Sequence, residues 1–125
     1  MNLSLLSDLE LVDGLKILAQ NERAATVAVL EYLIELEARG IYRDLGYSSL
    51  FDYCTRALHY SGASAYRRIS AARCLKSNRE IGELLREGKL TLCTVATAAK
   101  TIQEKTTSVT EIVGCSKRQV ESLIA

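Results

Sequence analysis

Between Tyr66 and Arg79 the chain carries five basic side chains, Arg67, Arg68, Arg73, Lys76 and Arg79, and no acid. A guanidinium is a planar fork that pairs with a guanine edge or with phosphate oxygens, so such a run suits an anionic polymer like double-stranded DNA. The run follows Leu58-His59-Tyr60-Ser61. There an apolar residue closes a short helix, a histidine tolerates positive φ, and a serine caps the next helix, which is the grammar of a helix-turn-helix. With Ile69 as the inward direction and roughly 100° per residue, Ala65 and Ile69 pack inward against Cys54 and Leu58. Arg67 then points nearly opposite, with Arg68 on the flank and Ser64 sharing the outer side. Ser61, Ser64, Arg67, Arg68, Arg73 and Lys76 are the expected DNA contacts, and Arg73 lies near enough the inward side to pair internally. Tyr66 reads as core, with a phosphate hydrogen bond as the alternative. An ordinary helical hairpin with a solvated basic face explains the same residues without DNA.

A second helix-turn-helix candidate spans Val109 to Leu123, with Gly114 at the turn and Ser116 as the cap. Lys117, Arg118 and Gln119 stand at the start of its second helix, where recognition helices touch bases, and are secondary DNA-binding candidates. Gln119 also completes a capping box with Ser116. No helix follows to brace this unit, so it reads first as a structural hairpin or a truncated junction.

Other chemistry finds little footing. Cys54, Cys74, Cys93 and Cys115 lie about twenty residues apart, no CxxC pair occurs, and His59 is the only histidine. A zinc site draws its ligands from close pairs, so the expectation is buried free thiols and no metal. No activated nucleophile, acid pair or phosphate-binding glycine loop is visible. The chain is therefore expected to hold no catalytic residue, cofactor or small-molecule substrate.

The elements that must position these residues are helical throughout. The chain is 125 residues long and 48% hydrophobic, enough for one domain with its own core, and it has no proline to break helices. Ser7 and Glu10 form a capping box opening a helix over Asp8–Ala19, which contains Gly14. A long helix about Asn21–Arg39 follows, closed by Gly40 in a left-handed cap. Its apolar residues cover more than one face, so it is either a central core helix or a subunit interface. On the second reading Val27, Leu30 and Ile34 are the dimer contacts. Ile41–Tyr47 reads as a linker turning at Gly46. Ser48 or Ser49 caps a short helix to about Leu58, and Ser61 or Gly62 opens another ending at Leu75 or Lys76. Ser77 with Glu80 is a capping box for Asn78–Glu87, ended by Gly88, and Thr91 caps a helix to about Gln103. Thr106–Val113 and Ser116–Ile124 complete an all-α domain. It divides into an N-terminal long-helix hairpin (1–40), a helix-turn-helix (48–76) and C-terminal helices (77–125).

Charge separates the two ends. Residues 1–65 hold five Lys/Arg against nine Asp/Glu, and residues 66–125 hold eleven against six, so a net +1 conceals a basic second half. The apolar stretch Ala24–Ile34 is interrupted by Glu31 and is far shorter than the roughly 20 residues a membrane span needs. Met1–Asp8 lacks the basic and apolar regions of a signal peptide, so a cytoplasmic location is expected.

Three strings carry a family resemblance: Gly46-Tyr47-Ser48-Ser49-Leu50-Phe51-Asp52-Tyr53-Cys54, Ala65-Tyr66-Arg67-Arg68-Ile69-Ser70-Ala71-Ala72-Arg73, and Leu84-Leu85-Arg86-Glu87-Gly88-Lys89-Leu90-Thr91-Leu92. With Cys115-Ser116-Lys117-Arg118-Gln119-Val120, the chain resembles, over about residues 5–125, the helical domain preceding the nuclease domain of bacterial HNH endonuclease-like proteins. Gly88-Lys89-Leu90 is locally similar to the helix after the helix-turn-helix of ParB/KorB-type partition proteins. The resemblance implies a DNA-associated accessory domain within a nuclease. HNH chemistry needs histidines to hold metal and activate water, and His59 alone does not supply them, so no catalytic residue carries over. The expected function is a DNA-binding accessory module acting as a homodimer. The alternative is a protein–protein interaction or dimerisation module without DNA contact.

Overall fold

The computed structural model describes residues 2–125. After a short 3-10 turn at Leu3–Leu5, the helices are α1 (Asp8–Arg39), α2 (Ile41–Asp44), α3 (Leu50–Arg56), α4 (Gly62–Ser77), α5 (Glu80–Arg86), α6 (Leu92–Gln103), α7 (Val109–Ile112) and α8 (Lys117–Ile124). No strand occurs among the described residues, and no described helix is long and apolar enough to cross a membrane.

α1 is one continuous 32-residue helix, not the hairpin expected over 1–40. Its start is set locally. The Ser7 hydroxyl accepts from the Glu10 N–H at 3.1 Å, and the Glu10 carboxylate accepts from the Ser7 N–H at 3.0 Å, satisfying two donors that the first turn leaves open. Gln20-Asn21 is polar but contains no breaker, and the helix runs through it. Gly40, with φ of 66°, ends it in the left-handed region. The apolar all-round reading of Asn21–Arg39 does not hold, because within α1 only Val27, Leu30 and Leu33 are buried. Val27 and Leu30, expected at a dimer interface, are 1% and 0% exposed inside a single chain, and Ile34 packs half-buried on the same core. Their surface is already used intramolecularly.

The linker expected over Ile41–Tyr47 contains the one-turn helix α2. The Ser77–Glu80 capping box does not form. Ser77 stays in α4, and the Asn78 side chain donates to the Cys74 carbonyl at 3.1 Å, ending that helix one residue later.

α4 is the centre of the fold, packed against α1, α3, α5 and α6. Alanines and a cysteine (Ala65, Ala71, Ala72, Cys74) let neighbours approach closely, and Ile69 and Leu75 fill the gaps between them. Val95, Ala98 and Ile102 of α6 complete the core from one side, and Ile81 and Leu85 of α5 close it from another. Each fully buried aliphatic chain of Leu30's kind stabilises by about 1.5–3 kcal/mol relative to exposure. The core begins only at Val27. From Asn2 to Leu18 no residue is buried, and Leu5, Leu9 and Leu15 are 81%, 69% and 68% exposed.

Candidate nucleic-acid interface

α3 and α4 meet at a corner built from backbone chemistry. The Ser49 hydroxyl caps α3 by accepting from the Asp52 N–H at 2.9 Å. The Ser48 N–H donates to the Asp52 carboxylate at 3.0 Å, and this bond, with nearby Arg56, holds that carboxyl below its ordinary range. The chain then turns through His59, whose φ of 61° matches the left-handed elbow expected of it. The Tyr60 N–H closes the turn on the Cys54 carbonyl at 3.1 Å, and the Ser61 hydroxyl caps α4 by accepting from the Ser64 N–H at 3.1 Å. Cys54, Ala65 and Ile69 are buried against this corner as expected, but Leu58 is not, with 42% of its surface exposed.

The outward side of α4 differs from the one inferred by taking Ile69 as the single inward direction. A central helix is buried on two sides, so the residue opposite Ile69 meets protein too. Arg67, Arg68 and Ser64 are only half-exposed, and the open stripe runs through Tyr66 and Arg73 to Ser77. Tyr66, expected in the core, is 62% exposed.

Most of the expected contact residues have work within the chain. The Arg68 guanidinium stacks over the Tyr60 ring at 4.5 Å and donates to the Ser64 carbonyl at 3.2 Å, bracing the corner. Arg73 forks onto Glu37 of α1, with its Nη2 2.8 Å from Oε2 and its Nε 3.4 Å from Oε1. The Glu37 hydrogen bond, more than its charge, raises the Arg73 pKa. Ser61 is occupied as a cap. Lys76 is exposed, and neither it nor Arg67 makes an ion pair among the described residues.

The C-terminal corner is better braced than expected. α8 packs on α6, and Val120 is fully buried. Gly114, with φ of 76°, turns the chain, and its N–H donates to the Lys89 carbonyl at 2.9 Å. Ser116 and Gln119 form the expected capping box at 2.8 and 3.2 Å, which occupies the Gln119 carboxamide oxygen. Lys117 and Arg118 are exposed at the first turn of α8, unpaired among the described residues. There the partial positive charge of the helix start adds to their own.

Two concavities were not anticipated. A cleft of about 370 Å³ lies between the ends of α4 and α6, lined by Arg73, Ser77, Asn78, Gln103 and Lys105, with Lys105 at φ of 63°. A wider groove of about 890 Å³ runs between the second half of α1 and Tyr53, Leu58 and Tyr60, and its lining is mostly apolar. The four thiols are unpaired, with Cys54 and Cys74 buried and Cys93 and Cys115 half-buried. Burial pushes the Cys54 thiol up against the opposing pull of Arg68, and burial, helped by Glu80, pushes Cys74 up to about 11. Among the described residues no three His, Cys, Asp or Glu side chains gather so as to hold a metal ion.

Comparison of the chain with protein-family models, with curated proteins and with solved structures finds no match.

Proposed function

We propose that the chain is a non-catalytic DNA-binding accessory module of the kind that precedes the nuclease domain in HNH-type proteins. The observation that carries this reading is the exposed cation pair Lys117–Arg118 at the first turn of α8, held by a left-handed elbow at Gly114 and a serine cap. On this reading the elbow and cap serve as a small helix-turn-helix, presenting charge at a helix start where phosphate binds. Lys76 of α4 is a further exposed cation offered to the same polymer. Arg68 and Arg73 serve the architecture, and Arg67 is a minor contact. A cytoplasmic location fits this role.

Fluorescence anisotropy with duplex DNA across a salt series tests the proposal. Replacing Lys117 and Arg118 by alanine is expected to lower the slope of log K against log salt by about 0.9 for each phosphate left without its cation. Replacing Arg67 and Arg68 is expected to change that slope less. No binding at low salt, or an unchanged slope in the Lys117/Arg118 variant, overturns the reading. The rival, an interaction module without DNA contact, is favoured by one specific observation: the bare apolar side chains on the first half of α1.

A further inference from the structure

Leu9, Val12 and Ile17 are exposed at other points around the first half of α1, but one face of the helix carries a continuous apolar series. Leu11, Leu15, Leu18, Glu22, Ala25, Val29, Tyr32 and Leu36 alternate in steps of four and three, which places them along one face of the helix in the seven-residue pattern of a two-helix seam. Of the core-facing residues, Val27 and Leu30 fall outside this face, and Leu33 borders it where the chain's own core begins. Leu15 and Leu18 are 68% and 60% exposed, Tyr32 is 79% exposed, and Val29 and Leu36 are half-buried at the wall of the 890 Å³ groove.

We propose that this face is covered by a second copy of the same chain, with the two α1 helices antiparallel about a two-fold axis passing between Arg23 and Ala24. The register follows from the residues. Reversal about that point sets Leu11 against Leu36, Leu15 against Tyr32, Leu18 against Val29 and Glu22 against Ala25 of the second copy. The six larger residues meet one another, and the single charged residue, Glu22, meets the smallest, Ala25. A parallel pair would instead bring Glu22 against Glu22, which repels. The same register sets Asp8 against Arg39 at both ends, adding opposite charges where the seam runs out. It also lays the first half of the second copy's α1 along the groove walled by Ile41, Tyr53, Leu58 and Tyr60. The exposure of Leu58 then has a purpose.

Area supports the same occupant. The chain exposes 8086 Å² at 13.8 kDa, ~1,500 Å² more than the ~6,600 Å² of a compact monomer of that mass. A standard interface removes about 800 Å² per partner, and obligate homodimers remove more. The excess is thus of the size that an isologous dimer would hide. This dimer does not depend on DNA binding. It relocates the interface from Val27 and Leu30, which the chain's own core consumes, to an adjoining face of the helix.

Sedimentation equilibrium of the full chain is expected to give twice 13.8 kDa in the micromolar range. Leu15→Asp is expected to return it to a single chain with unchanged helical circular dichroism, since Leu15 stands exposed on its own chain. Register is read by disulfide trapping with an added copper–phenanthroline oxidant. Leu15→Cys and Tyr32→Cys, made singly and mixed, should give a linked dimer much more readily than either alone or the unsubstituted chain. A single chain at all concentrations overturns the proposal and leaves the face to a different protein. Persistence of the Leu15→Asp dimer with helicity intact also overturns it, as does Leu15→Cys linking to itself as readily as to Tyr32→Cys.

Discussion

The two halves of α1 have similar aliphatic content and opposite fates. Leu9, Leu11, Leu15 and Leu18 stand in solvent, whereas Val27, Leu30 and Leu33 disappear beneath α4 and α5. Apolar side chains are buried only where another element lies within reach. In this fold the other helices gather beside the second half of α1 and leave the first half without a neighbour. Hydrophobic content alone therefore does not distinguish core from interface.

The sharpest way to break this comparison is to truncate one leucine from each half. Leu30→Ala removes a fully buried side chain and is expected to cost about 2–5 kcal/mol in urea denaturation. Leu15→Ala at low protein concentration is expected to stay within about 0.5 kcal/mol of the parent. Its cost should grow as protein concentration rises and the second copy binds. Equal costs under dilute conditions would mean that the first half of α1 is packed within one chain.

A smaller effect distinguishes how each half is held. Ser7→Ala removes the hydroxyl of the capping box and is expected to weaken the first turn by about 1 kcal/mol. Amide hydrogen exchange should quicken near Leu11 and remain unchanged at Leu30. Uniform quickening along the helix would show that the halves open together.

In the second half, Arg73→Ala breaks the fork to Glu37 that ties α4 to α1. Both side chains are substantially exposed, so the expected loss is at most about 1 kcal/mol, further reduced by salt. A loss of several kcal/mol would mean that this pair, and not the apolar contacts, fixes the second half.

The mildest test is pH. The Ser7 N–H, then its hydroxyl, hold the Glu10 carboxyl below its ordinary 4.5. A carboxyl lowered in the folded state contributes stability that is complete above 4.5 and is lost as pH falls through the lowered value. Acid should therefore fray the start of α1 before it disturbs Leu30, as read by exchange at the two positions. Glu111, held down in the same way by Ser108, provides a matching site outside α1.

The features legible in the sequence are those decided within a few residues. Ser7 with Glu10, Gly40, His59, Ser61 and the Ser116–Gln119 box each act through one or two local hydrogen bonds or one left-handed φ, and each stands where its type and spacing place it. What is not legible requires knowledge of neighbours. Arg67 points outward only if α4 has one inward direction, yet α4 is enclosed on two sides. Tyr66 and Leu58 have the residue types of a core that does not extend over them. Ser77 has the spacing of a cap, but the Asn78 bond to Cys74 keeps it inside the preceding helix. The four–three spacing along α1 is present in the sequence itself. Its meaning is not, because a helical face looks the same whether its partner is the chain's own core or another molecule.

The burial of Cys54 and Cys74 turns the chain into its own clock. Alkylating reagents attack the thiolate, and a thiol raised to about 11 in a closed core offers almost none. In the native chain, Cys93 and Cys115 are therefore the thiols within reach of a reagent, while modification of the inner pair waits for α3 and α4 to open. The ratio of slow to fast labelling at a given temperature counts those openings without an introduced probe.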